Sequence, residues 1–203
     1  MLRVSSLLLS SVLVAAALTS SLLSSACASP ADKVAQTTAS LPAPGSPAPD
    51  FTAPDQTGTA RSLESFRGKP LVLFFYPRDG TPGCTKEACA FRDAWSRYEA
   101  AGVNVVGVST NDIASHAAFA AEHKLPFPLL ADTNEVILRA YGVPSTMGFA
   151  QRVSVLIDAT GTVVRVFPDV DPGVHADEVL RAASSASPAA TTTAPAPATT
   201  TGG

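Results

Sequence analysis

Leu71-Val72-Leu73-Phe74-Phe75-Tyr76-Pro77-Arg78-Asp79-Gly80-Thr81-Pro82-Gly83-Cys84-Thr85-Lys86-Glu87-Ala88-Cys89 is the stretch that decides how this chain folds. Residues 71–76 form a short, unbroken apolar run ended by Pro77, as in a strand buried on both faces. The turn Gly80-Thr81-Pro82-Gly83 follows. Beyond it Ala88, Phe91, Trp95 and Tyr98 recur at spacings of 3, 4 and 3. That spacing predicts one helix with a single apolar stripe, stopped at Gly102.

The same alternation continues outward. Val103 to Ser109 reads as a second strand, with Asn111 or Asp112 capping a helix through Lys124. Pro128 to Ala131 reads as a short strand, and Asp132 caps a helix ending at Tyr141-Gly142. Upstream, Phe51 to Pro54 and the Arg61 region flank Thr57-Gly58 as an opening hairpin. Downstream, Arg152 to Asp158 and Thr162 to Phe167 bracket Ala159-Thr160-Gly161 as another. A last helix covers Ala176 to Ala183. The expected class is α/β, a central mixed sheet with helices on both faces.

Composition sets the limits. The 203 residues are 46% hydrophobic and 15% charged, with a formal net charge of −3. That is enough for one ordinary core. Weak acidity gives a phosphate backbone nothing to bind, so nucleic acid is excluded as a partner. Residues 29–45 and 184–203, rich in Pro, Ala, Ser and Thr, read as disordered linkers around a domain at 46–183. Residues 1–28 read as a signal: Arg3 is the sole charge before Asp32, and Leu7 to Leu23 is apolar. Two processing readings stay open. Ala26-Cys27-Ala28 suits ordinary signal peptidase, while Ser24-Ser25-Ala26-Cys27 resembles a lipobox that would lipidate Cys27. An uncleaved anchor is the third option, since the stretch approaches the ~20 residues a span needs. Each implies export to a bacterial cell envelope, periplasmic or membrane-attached.

Three cysteines are too few for a disulfide scaffold, an iron–sulfur cluster or a closed Cys-rich zinc site. Cys84 falls where the long helix begins, so unpaired N–H groups and the positive dipole end face its sulfur. Such a placement makes a nucleophile. Cys89 lies five residues on. Five helical residues advance ~7.5 Å and turn ~140° past a full rotation, whereas a disulfide needs Cα atoms within ~7 Å. Any bond between the two requires the helix start to unwind.

The run from Phe74 to Asp93, FFYPRDGTPGCTKEACAFRD, resembles the active-site segment of peroxiredoxins of the bacterioferritin-comigratory-protein/Q type. Pro77, Thr81 and Cys84 match the pattern Pro-x-x-x-Thr/Ser-x-x-Cys, and Cys89 matches the second cysteine of that subfamily. Resemblance continues through Ala48-Pro49-Asp50-Phe51, Gly107-Val108-Ser109-Thr110 and Arg152-Val153-Ser154-Val155-Leu156-Ile157-Asp158. Val155 stands where phenylalanine is common, a packing change. The resemblance implies a thioredoxin-like fold and a thiol peroxidase. Cys84 would attack a hydroperoxide, and Arg152 would stabilise sulfur and peroxide oxygens. Thr81 would set a hydroxyl beside them or stabilise the turn, Pro77 would shield the site, and Glu87 would support it. Cys89 would resolve the sulfenic acid as an intramolecular disulfide, opened by a thioredoxin-like dithiol reductant.

A thioredoxin-like disulfide exchanger would need Cys-x-x-Cys, and the spacing here is Cys-x₄-Cys. An exported thiol redox sensor would use the same cysteines without turnover. His116, His123 and His175 show no ligand spacing with either cysteine and read as solvated helix residues, so no metal is expected. No cofactor is implied, and the expected state is a monomer or a weak dimer.

Overall fold

The computed structural model describes residues 40–186. A hairpin, β1 (Thr52–Pro54) and β2 (Ala60–Ser62), leads through a 3₁₀ turn at Leu63–Phe66 to β3 (Leu71–Phe75). Then come α1 (Pro82–Asp93), α2 (Trp95–Ala100), β4 (Asn104–Ser109), α3 (Ile113–His123), β5 (Leu129–Ala131) and α4 (Val136–Ala140). A small hairpin, β6 (Ser145–Thr146) and β7 (Phe149–Ala150), precedes β8 (Val153–Ile157), β9 (Val163–Phe167) and α5 (His175–Ala186). The central sheet has the order β5-β4-β3-β8-β9. β3, β4 and β5 pair in parallel; β8 is antiparallel to β3 and to β9.

The apolar run is a strand because both its faces are covered. Val72, Phe74 and Tyr76 enter one core, with Phe91 of α1, Tyr98 of α2, Phe119 of α3 and Val179 of α5. Leu71, Leu73 and Phe75 enter the other, with Phe51, Leu63 and Ile137 and Leu138 of α4. The period of two delivers neighbouring residues to opposite faces, and burying each large side chain contributes roughly 1.5–3 kcal/mol.

Several expectations are corrected. The single helix expected up to Gly102 is broken at Ala94, whose φ of −88° and ψ of 0° end α1 and begin α2. Because the bend leaves Phe91 and Tyr98 in the same core, the spacing reads straight through it. Asp132 caps α4 from a distance: Glu135 occupies the cap position, while the Asp132 carboxylate accepts from the N–H groups of Val136 and Leu138 at 2.7 and 2.8 Å. Part of each proposed linker is ordered. Leu41 packs on the second core, Gly45 N–H donates to the Val163 carbonyl at 2.8 Å, and α5 runs on to Ala186.

Two histidines are not solvated at all. His116 and His175 are completely buried, and His123 is half-buried. His116, Phe119 and His123 follow the helical spacing of α3, so the stripe that buries Phe119 takes His116 inward with it. His175 lies between the rings of Phe91 and Phe167, with Nε2 2.8 Å from the Ser154 hydroxyl. Burial pushes it down to about 4, so the ring is neutral at physiological pH. Among the described residues no cluster of His, Cys, Asp and Glu could hold a metal ion. Residues 1–28, with Leu7 to Leu23 and Cys27, lie outside the described part, as do residues 29–39 and 187–203.

Candidate active site

At the carboxyl end of β3 the chain leaves the sheet through half-buried Pro77 and turns at Gly80, whose φ of +69° suits a residue without Cβ. Thr81 caps α1; Pro82 and Gly83 fill its first two positions and Cys84 the third. Proline fits there because its missing N–H would find no partner in the first turn. Cys84 is 2% exposed and sits among the unpaired N–H groups of that turn. The Thr81 hydroxyl donates to the Arg78 carbonyl at 3.1 Å, and the Thr81 carbonyl accepts from Thr85 N–H at 2.8 Å. In this form its hydroxyl stabilises the turn.

Arg152 comes from far away in sequence. The antiparallel register sets Val153 of β8 opposite Phe75 of β3, which brings Arg152 level with Tyr76 and beside the loop. Its Nη2 donates to Cys84 Sγ at 3.4 Å, and its Nη1 pairs with Glu87 of α1. Gly83 makes room for this: a Cβ there would lie 3.3 Å from Arg152 Nη2. Burial works against the Arg152 charge, but Glu87 and Cys84 outweigh it and hold the guanidinium cationic. Glu87 is wholly buried, and one of its oxygens, Oε1, has no partner. Burial pushes its carboxyl up to about 7, against the pull of Arg152.

Cys89 is half-buried on the same unbroken helix, and both thiols are free. The structure thus brings together Cys84, Arg152 and Glu87, places Thr81 and Pro77 in the loop that feeds them, and holds Cys89 one to two turns down α1.

Sequence reasoning missed the other side of the loop. The Asp79 carboxylate accepts from the Tyr76 hydroxyl and the Ser115 hydroxyl, each at 2.7 Å, and lies 2.9 Å from His116 Nδ1. Asp79 N–H donates to the Asn111 side chain at 3.1 Å, and His116 Nε2 lies 3.1 Å from the Leu130 carbonyl. The usable signal was the position of His116 one turn before Phe119, on the buried stripe. The β6–β7 hairpin also went unforeseen. It approaches the loop through the Arg78 guanidinium, 5.6 Å from the Phe149 ring centroid, and is tied to the end of β4 by the Thr110 hydroxyl, which donates to the Gly148 carbonyl at 2.6 Å.

This geometry has relatives. Residues 44–166 match the AhpC/TSA family. The chloroplastic peroxiredoxin Q of Triticum aestivum is 45% identical over 129 residues, 62% of this chain and 59% of that protein. The chain spans about six-tenths of the length of the first plant relatives it matches. Among solved structures, peroxidoxin BcpB from Mycobacterium tuberculosis is 36% identical, with a TM-score of 0.67 over 70% of this chain and 97% of that one. The Xanthomonas campestris bacterioferritin comigratory protein, which has alkyl peroxide reduction activity, is 32% identical, with a TM-score of 0.64 over 66% of this chain and 90% of that one. With a thioredoxin-like sheet and a cysteine–arginine pair at the start of its first long helix, the chain belongs to the AhpC/TSA family, as a peroxiredoxin of the bacterioferritin-comigratory/Q type.

Proposed function

We propose that this chain reduces hydrogen peroxide and organic hydroperoxides with electrons from an external dithiol, as an exported protein of a bacterial cell envelope. The observation that carries the reading is Arg152 Nη2 at 3.4 Å from a Cys84 sulfur set among the first N–H groups of α1. A sulfur so placed is a nucleophile with fixed donors beside the oxygens it must attack. The alkyl peroxide activity of the Xanthomonas campestris neighbour supports the inclusion of organic substrates.

The chemistry needs no cofactor. Cys84 sulfur attacks the distal oxygen of ROOH, the O–O bond breaks, and ROH leaves with the thiol proton, so that Cys84–SH becomes Cys84–SOH. Arg152 holds the oxygens as charge develops on them. The Cys89 thiol then attacks the Cys84 sulfur; an S–S bond forms, the S–O bond breaks, and water leaves. A thioredoxin-like dithiol opens this disulfide, returning both thiols and departing oxidised. Because Cys84 and Cys89 share one helix, the second step requires the start of α1 to unwind.

Cys84→Ser is expected to abolish hydrogen peroxide consumption driven by dithiothreitol. A wild-type rate in that variant ends the proposal, because an alcohol cannot supply the nucleophile. Export rests on residues 1–28. Intact-mass analysis of membrane and soluble fractions should find the chain shortened near Cys27, with or without added lipid; a full-length chain confined to the soluble cytoplasmic fraction refutes export.

A further inference from the structure

The cycle above needs two shapes of one segment. Cys84 must sit in the first turn of α1 to meet Arg152, and must leave that turn to reach Cys89. Something has to hold the first shape without locking it. The Arg152 side is one such hold. The other is the buried network on Asp79, five residues before Cys84.

Four parts of the fold converge there: Tyr76 at the end of β3, Asn111 after β4, Ser115 and His116 on α3, and, through His116, the Leu130 carbonyl of β5. The His116 side chain is fully buried, and that of Asp79 is 6% exposed. A position needed for packing alone would be served by an apolar residue, as Phe119 serves one turn on. A fully buried imidazole costs desolvation that its hydrogen bonds must offset. Here those bonds lead to the segment that carries the reactive sulfur. Gly80, at φ +69°, follows Asp79 directly, so a fixed point and a pliant residue adjoin. While Asp79 is held, only Gly80 to Gly83 separate it from Cys84. Once it is released, Tyr76 to Asp79 can move as well.

We propose that His116, acting through the Asp79 carboxylate, is a positioning residue that holds Cys84 in the helical, peroxide-ready arrangement and so limits the rate at which Cys84 reaches Cys89. The proposal rests on the peroxidase reading for the two chemical steps. The hold itself is a property of the reduced protein.

The test uses the full chain carrying His116→Leu, His116→Asn or Ser115→Ala. Asparagine keeps a donor near the place of Nδ1, and Ser115→Ala removes one of the three side-chain partners of the carboxylate. Three quantities are read: the rate of Cys84 oxidation by one equivalent of hydrogen peroxide, the rate of Cys84–Cys89 disulfide formation from the sulfenic acid, and backbone hydrogen exchange over residues 80–88 in the reduced state. In His116→Leu, oxidation should slow about tenfold, disulfide formation should quicken several-fold and exchange should rise. His116→Asn should return toward wild type on all three. Ser115→Ala should move each with the same sign, about two- to threefold.

Opposite movement of the two rates is the signature, because a merely structural loss would slow both. Both rates falling together, or exchange over 80–88 left unchanged, overturns the proposal. If His116→Leu does not fold, Ser115→Ala decides by the same criteria. If wild-type Cys84 is not oxidised by peroxide, the peroxidase reading fails, and the exchange measurement alone still decides whether His116 holds the segment.

Discussion

Asp79 and Glu87 stand on either side of Cys84 in the chain, both out of water, and the protein drives them in opposite directions. Burial acts first on each, favouring the neutral acid. At Asp79 the His116, Ser115 and Tyr76 contacts overcome it, and the carboxyl is held below its ordinary range. At Glu87 the single cation Arg152 does not suffice, one oxygen is left without a partner, and the carboxyl rises to about 7. Glu87 lies deeper and has one donor group, Asp79 is shallower and has three, and burial and donors together decide the charge of each acid. One side of the site is therefore a fixed anion that serves as an anchor. On the other, an acid whose charge changes near neutrality shares its arginine with the Cys84 sulfur.

The largest expected effect comes from breaking the Glu87 side at its cation. Arg152→Ala should slow the reaction of Cys84 with hydrogen peroxide by about 10²-fold or more, measured as a second-order rate. An unchanged rate would show that another group supplies the donors.

Exchanging each carboxylate for its amide sharpens the contrast. Asp79→Asn should cost about 2 kcal/mol of unfolding free energy, because it removes the charge that three side chains complete. The folded-state carboxyl is depressed, so this loss is full well above the ordinary value of 3.8 and fades as the pH falls past it. Glu87→Gln should behave in the opposite sense. With the folded carboxyl raised from 4.5 to about 7, the wild type binds its proton more tightly when folded, and that stability is lost as pH rises from 4.5 through 7. Denaturant melts should find the Gln variant close to wild type near pH 4.5 and more stable than wild type at pH 8. A Gln variant weaker than wild type at every pH would mean that the Arg152 pairing outweighs burial. The smallest effect is expected at Gly83. A Cβ 3.3 Å from Arg152 Nη2 must shift the guanidinium by tenths of an ångström, so Gly83→Ala should slow the peroxide step a few-fold. Thermal stability should hold or rise, since alanine suits a helix better than glycine.

Much of the fold was legible because it repeats locally. The unbroken apolar run at residues 71–76 ended by Pro77, the helical stripe through Ala88 and Phe91, and the turn at Ala159-Thr160-Gly161 each declare an element from neighbouring residues alone. The bend at Ala94 was not legible, since both helices keep their apolar residues in one core and the stripe shows no gap. The burial of His116 was half legible: its spacing from Phe119 points inward, but polarity argues for the surface, and only a partner that sequence does not place resolves the conflict.

The sequence by itself determined that a cysteine opens a helix after a buried strand, and that a second cysteine lies where an intact helix cannot bring it. These follow from chain geometry over a dozen residues. Tertiary structure decided the rest of the site. Arg152 meets Cys84 because β8 pairs with β3 in one particular register. Asp79 meets His116 because α3 packs over the loop, and Glu87 rises to about 7 because it faces the core with one cation beside it. Such contacts join residues tens of positions apart, and their strength depends on the water that the assembled fold excludes.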